Sequence, residues 1–245
     1  MEILGVRIDN IDFPQALEKA KKLIEGKEKH YIVTPNPEFI VLAQKDAEFR
    51  KILNSASLSI PDGIGLVWAA KILRKNLPER VTGVDLLEGL AALAAEHGFN
   101  IFLLGGKEGV AAKAAEVLKT RYPKLEIAGI YGGKAEPEFD ALTRSHLVSK
   151  KIDILAVAYG PPRQEKWIAR NLPYIDVKLA IGVGGALDYI SGEKSRAPGW
   201  VRGIGLEWFH RLISEPSRWR RQLNLPYFAY LVFRKRLERR LPKRG

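Results

Sequence analysis

Ile152-Asp153-Ile154-Leu155-Ala156-Val157-Ala158 runs directly into Tyr159-Gly160-Pro161-Pro162-Arg163-Gln164-Glu165-Lys166-Trp167. The first seven residues are apolar almost throughout, as a strand covered on both faces must be. Two prolines then stiffen a turn and open an amphipathic stretch, Gln164–Asn171. Buried strand, tight turn and helix make one half of a parallel α/β unit, and the pattern repeats in both directions along the chain. Tyr31–Thr34, Ser57–Ile60, Asn100–Leu104, Glu126–Ile130 and Lys178–Val183 read as further strands. Helical patterns over Pro14–Glu25, Pro37–Asn54, Ile64–Lys75, Val84–His97, Glu108–Arg121 and Pro137–Lys150 lie between them. This alternation predicts an α/β, Rossmann-like fold: a mainly parallel sheet flanked by helices.

The end of the chain has a different composition. Residues 196–245 hold 13 Lys and Arg against 3 acidic residues, in a chain whose net charge is +12. Three of the five tryptophans, Trp200, Trp208 and Trp219, are there too. Two units are therefore expected: an α/β domain over 1–195 and a basic amphipathic appendage over 196–245. The appendage should form helices over Gly205–Ser214, Ser217–Leu223 and Pro226–Arg240, punctuated by Pro216 and Pro226. A basic, aromatic segment on a near-neutral body calls for a negatively charged partner: nucleic acid, an anionic membrane or a phosphorylated substrate.

Composition narrows the setting. With no cysteine among 245 residues, disulfides and thiolate metal sites are excluded. The N-terminal stretch lacks the apolar core of an export signal. The most apolar part of the tail, Leu225–Phe233, is about half the roughly 20 residues needed to cross a bilayer. The expectation is a cytoplasmic protein with, at most, peripheral membrane contact.

In an open parallel sheet, ligands bind beyond the carboxyl ends of the strands, and the residues there are distinctive. After the first run comes Thr34-Pro35-Asn36-Pro37-Glu38, in which Asn36 reads as a helix N-cap and Thr34 as a hydroxyl able to face the crevice. After the second comes Pro61-Asp62-Gly63. Asp62 is either an N-cap or a carboxylate held at the sheet's mouth as a general base, and spacing alone leaves both open. Gly105 and Gly106 form a glycine turn with neither the P-loop nor the dinucleotide spacing, although a helix start there offers amide donors to phosphate or sugar. Arg163 and Gln164 would project polar groups toward the crevice. Gly185 and Asp188 follow the last strand, where Asp188 can accept from a ribose or a base. Each turn alone is an ordinary connection between elements; five of them at five strand ends favour a site.

Some chemistry is missing. There is no Asp-x-Asp, no Gly-x-Ser-x-Gly, and the four histidines are scattered without metal-ligand spacing.

The ordered set Thr34-Pro35-Asn36-Pro37-Glu38, Pro61-Asp62-Gly63, Arg80-Val81-Thr82-Gly83, Gly160-Pro161-Pro162-Arg163-Gln164-Glu165, Gly182-Val183-Gly184-Gly185, Arg196-Ala197-Pro198 and Gly205-Leu206-Glu207-Trp208 through Arg211 resembles the WecG/TagA/CpsF glycosyltransferases over nearly the whole chain, most of all the TagA type. The resemblance implies inverting transfer of N-acetylmannosamine from UDP to the 4-hydroxyl of undecaprenyl-diphosphate-linked N-acetylglucosamine, giving the β-linked disaccharide of wall teichoic acid synthesis. It implies Asp62 as base, Thr34 beside it, and Asn36, Arg80 and Gln164 near substrate, with Asp188 and its glycine turn at the nucleoside end. Without a metal motif, no cofactor is expected, and the leaving diphosphate falls to tail arginines: Arg211, Arg218 and Arg221.

The last predicted helix starts with rings (Tyr227, Phe228, Tyr230, Phe233) and ends with cations, which suits docking on an anionic lipid surface at the inner face of the cell membrane. A homo-oligomer off the membrane, with the tail displaced, fits the same features. Three alternatives stay open on sequence: a relative acting on another UDP-sugar, such as N-acetylmannosaminuronic acid or a hexose; a nucleic-acid-binding protein; and a non-enzymatic membrane scaffold.

Overall fold

Residues 1–203, 205–215 and 219–238 are described in a computed structural model, except for the side chains of Arg202, Arg211 and Arg220. The chain opens with a two-residue-turn hairpin, β1 (Glu2–Ile3) and β2 (Val6–Arg7), that sequence reading missed. Its turn needs positive φ at both central residues, and Leu4 (49°) takes that conformation beside Gly5 (84°).

The main elements follow in order: α1 (Phe13–Glu25), β3 (His30–Val33), α2 (Pro37–Lys45), α3 (Ala47–Ser55), β4 (Leu58–Ser59), α4 (Ile64–Ile72), α5 (Gly83–His97), β5 (Asn100–Gly105), α6 (Val110–Arg121), β6 (Glu126–Tyr131), α7 (Asp140–Ser145), β7 (Ile152–Ala158), α8 (Arg163–Asn171) and β8 (Val177–Gly182). Then come α9 (Ala186–Ile190), α10 (Gly199–Gly203), α11 (Glu207–Ser214), α12 (Trp219–Gln222) and α13 (Asn224–Glu238).

All six predicted strands form one sheet in the order β4-β3-β8-β7-β5-β6, and every neighbouring pair is parallel. The buried strands divide their side chains between two cores, as a period of two requires. On β5 and β7, Ile101, Leu103, Ile154 and Ala156 face the core under α1, α5, α6 and α9. Phe102, Leu104, Leu155 and Val157 face the opposite core, with Trp167 and Ile168 of α8. A third cluster joins α2, α3 and α4 to Phe228 and Val232 of α13.

Two long predicted helices break for local reasons. Pro37–Asn54 divides at Asp46, whose backbone is extended and whose carboxylate accepts from Phe49 N–H at 2.9 Å, starting a second helix. Pro137–Lys150 shortens to a 3₁₀ turn, Pro137–Phe139, followed by α7. The predicted Ile64–Lys75 helix ends at Ile72, and Arg74 turns the chain with φ of 57°.

Candidate functional site

A cavity of about 220 Å³ opens at the carboxyl ends of β3, β4, β7 and β8. Its floor is built by the turns that follow these strands. Thr34, one residue past β3, is buried and lines the cavity. Asn36 does cap α2: its Oδ1 accepts from Phe39 N–H at 3.1 Å, while the residue also lines the cavity.

Asp62 resolves differently. The residue capping α4 is Gly63, at φ 91°, and no side chain caps that helix. Asp62 instead donates its own N–H to Pro35 O at 2.8 Å, tying the turn after β4 to the turn after β3. Its side chain lines the cavity. Of the two roles open from sequence, the structure removes the capping one and leaves a carboxylate in the crevice.

Arg80 comes to the same place through a backbone bond from Val81 N–H to Pro61 O, 2.9 Å. Its largely buried guanidinium meets Glu207 of α11 at 3.4 Å. Glu207 is itself 5% exposed, so this ion pair joins body and tail inside the cavity wall.

The tail closes the cavity from above. Gly205, Glu207, Trp208, Arg221, Gln222 and Asn224 all line it. Gly205 has φ of 78°, and a Cβ there would lie 2.9 Å from Ile64 Cγ1, so the tail approaches the first turn of α4 as closely as a glycine allows. Arg221 grips Glu38 of α2 with both ends of its fork, Nε to Oε1 and Nη2 to Oε2, each at 2.8 Å. This bidentate geometry is the one a diphosphate oxygen pair would take. Further back, Arg196 bonds both oxygens of Asp85 (2.6 and 2.8 Å) and the hydroxyl of Thr82 (3.0 Å), anchoring the start of the tail to α5. Lys194 adds a bond to Glu215 at 2.8 Å.

Gln164 and Gly185 also line the cavity, whereas Arg163, Gly105, Gly106 and Asp188 lie outside its lining. Arg163 turns back to Tyr159 O (2.9 Å) and toward Glu136 (3.8 Å) and stays largely exposed. Gly106 nonetheless faces α9, since a Cβ there would stand 3.7 Å from Leu187 Cδ1. Asp188 is 3.8 Å from Lys194. Arg218 and the side chain of Arg211 lie outside the described residues. Among the described residues, no three His, Asp or Glu side chains gather into a group able to hold a metal ion.

Next to Gln164, Glu165 is completely buried, and burial pushes its carboxyl up to about 7 against the partial relief of the Gln164 amide. Sequence reading passed over Glu165, Glu38 and Glu207 as site residues, although all three stand in quoted motifs. The signal available was an acid at a fixed distance from a crevice turn, and spacing does not say which way it faces.

Fold and cavity together define the class: a parallel α/β protein with acidic and arginine residues converging at its strand ends, where C-terminal residues complete the cavity wall. The chain belongs to the glycosyl transferase WecG/TagA/CpsF family, whose profile matches residues 1–242. It is 33% identical over 231 residues, 91% of this chain and 90% of the relative, to the N-acetylglucosaminyldiphosphoundecaprenol N-acetyl-beta-D-mannosaminyltransferase of Bacillus subtilis (strain 168). It is 31% identical over 234 residues to the protein of the same name in Staphylococcus aureus (strain MRSA252), covering 95% of this chain and 91% of that one. The chain is thus a glycosyltransferase, and the scaffold reading is set aside.

Proposed function

We propose that this enzyme moves N-acetylmannosamine from UDP to the 4-hydroxyl of N-acetylglucosamine on undecaprenyl diphosphate, with inversion, for wall teichoic acid synthesis. The observation that carries the reading is the convergence in one cavity of an uncapping carboxylate, Asp62, with Arg80 and Arg221. The sugar and the lipid acceptor follow those of the relatives named above.

In the proposed step, Asp62 takes the proton of the acceptor hydroxyl while its oxygen bonds to C1 of the donor sugar. The bond from C1 to the β-phosphate oxygen breaks, and UDP leaves with the electron pair. General-base help of this kind is worth typically ~10²–10⁴ in rate. Thr34 orients substrate beside the base. Charge growing on the β-phosphate needs fixed cations, and Arg221 supplies one by exchanging Glu38 for the diphosphate; Arg211 and Arg218 are assigned the same task. Arg80, held by Glu207, meets substrate from the opposite wall. Asp188 and its glycine turn take the nucleoside end.

The test is transfer in vitro from several UDP-sugars to a lipid-diphosphate-linked N-acetylglucosamine analogue, with EDTA present. Turnover should be highest with UDP-N-acetylmannosamine, persist in EDTA, drop at least ~100-fold in Asp62→Asn, and drop in Arg221→Ala. Preference for another UDP-sugar would reassign the donor. Full activity in Asp62→Asn would remove the base.

A further inference from the structure

Gln164 lines the cavity, yet its amide is already committed. Its Oε1 accepts from two backbone groups: Gly160 N–H in the turn after β7, at 3.0 Å, and Gly184 N–H in the turn after β8, at 2.9 Å. That leaves the Nε2 end, which donates to Oε1 of Glu165 at 2.6 Å. The orientation follows from donor and acceptor types. Turned over, the amide would set its oxygen against a carboxyl oxygen and its hydrogens against two N–H groups. Glu165 and the two backbone N–H groups therefore agree on which way Gln164 points, and Glu165 is the side chain that holds its Nε2 end.

The surroundings are shaped for this pair. Glu165 is fully buried and Gln164 is 2% exposed. A Cβ on Gly182, at the end of β8, would stand 2.5 Å from Gln164 Nε2 and 2.6 Å from Glu165 Oε1, so only glycine leaves room for them. The second carboxyl oxygen of Glu165 has no hydrogen-bond partner. A buried acid with one bond is a costly way to fill space, and an apolar side chain would do so at lower cost. What the acid adds is a defined acceptor. Through it, two glycine turns from neighbouring strands are held at one spacing, and both wall the cavity: Pro161 stands in the first, Gly184 and Gly185 in the second.

We propose that Glu165 is a positioning residue: by holding the Nε2 end it locks the Gln164 amide against the Gly160 and Gly184 N–H groups, and thereby keeps the separation of the two turns on which donor binding depends. The kinetic part of this inference rests on the proposed transfer reaction; the structural part does not.

The experiment compares wild type, Glu165→Gln, Glu165→Leu and Gly182→Ala in the full chain, reading amide hydrogen exchange at Gly160 and Gly184 by NMR alongside steady-state kinetics. Gln keeps an acceptor at the same point and should retain protection at both glycines and most of the donor KM. Leu keeps the volume and removes the acceptor; exchange at both glycines should speed about tenfold or more and donor KM should rise by a similar factor, with kcat less affected. Gly182→Ala crowds the same pair from the sheet side and should loosen both amides, which keeps the test available if the Leu variant does not fold. Wild-type protection in Glu165→Leu, or equal loss in the Gln and Leu variants, would overturn the proposal. Loosened glycines in Glu165→Leu, together with a wild type that uses no UDP-sugar, would uphold the brace and defeat the transfer reading.

Discussion

Asp62 and Glu165 are both carboxylates that follow a strand end, three residues after β4 and seven after β7, and their surroundings differ. Asp62 lines the cavity, with its backbone N–H tied to Pro35 O. Glu165 is enclosed, and removal from water raises its carboxyl to about 7 from an ordinary 4.5. The sign of the linked stability effect follows. Below about 4.5 the group is protonated in both folded and unfolded chains. As pH rises, the unfolded chain releases its proton first, so folding loses stability until the folded carboxyl also ionises near 7. A shift of this size corresponds to roughly 3 kcal/mol. Glu165→Gln carries no such proton. Its melting temperature relative to wild type should therefore rise between pH 4.5 and pH 8, as scanning calorimetry at the two pH values would measure. A constant difference would mean that the folded carboxyl ionises at its ordinary pH.

At the scale of elements, α13 differs most from its sequence reading. Its rings were expected to face lipid, but Phe228 and Leu231 turn inward, with Val232, and α13 packs on α2 and α4. The reason is geometric: a helix over a body with exposed apolar ridges buries whichever stripe meets them. Tyr227, Tyr230, Phe233 and Leu237 remain exposed on another stripe. The tail is thus held by burial as well as by ion pairs. Partly exposed pairs such as Arg221 with Glu38 contribute about 0–1 kcal/mol each, whereas removing a buried phenylalanine ring costs about 3–5 kcal/mol. Phe228→Ala should therefore release the tail far more than Arg221→Ala does. Limited proteolysis should then cut within 196–245 much faster in Phe228→Ala, while the body keeps its melting transition. Equal protection in wild type and Phe228→Ala would mean that the ion pairs alone hold the lid.

For the whole molecule, charge is distributed in a way that suits the proposed lipid-linked acceptor. The body is nearly balanced, and the excess lies in a tail that also carries the exposed rings of α13. No helix among the described residues is long and apolar enough to cross a membrane. Docking on a surface is therefore argued from Tyr227, Tyr230 and Phe233 beside Arg234, Lys235 and Arg236, with more basic residues following in sequence. Each cation near an anionic surface is worth about 1 kcal/mol, within a screening length that salt shortens. Sedimentation with phosphatidylglycerol vesicles should be strong at low salt, weaken steeply as salt rises, and disappear when 196–245 is deleted. Undiminished binding by the truncated chain would place the lipid contact on the body.

The sequence by itself determined the parallel sheet, because uninterrupted apolar runs such as Ile152–Ala158 are stable only when covered on both faces. It also determined the set of crevice turns, because glycine and proline at strand ends constrain the backbone wherever they occur. The breaks at Asp46 and within Pro137–Lys150 were less legible, because periodicity continues across them; at Asp46 a local side-chain cap outweighs it. Direction belonged to the tertiary structure. Whether Asp62 caps a helix or faces a cavity, whether Arg163 enters the site or turns to Tyr159, and whether Arg221 meets solvent or Glu38 depend on elements far apart in the chain. Side-chain chemistry is written residue by residue, but the partner that gives it a role is chosen only when α2, α8 and the C-terminal tail come together over the strand ends.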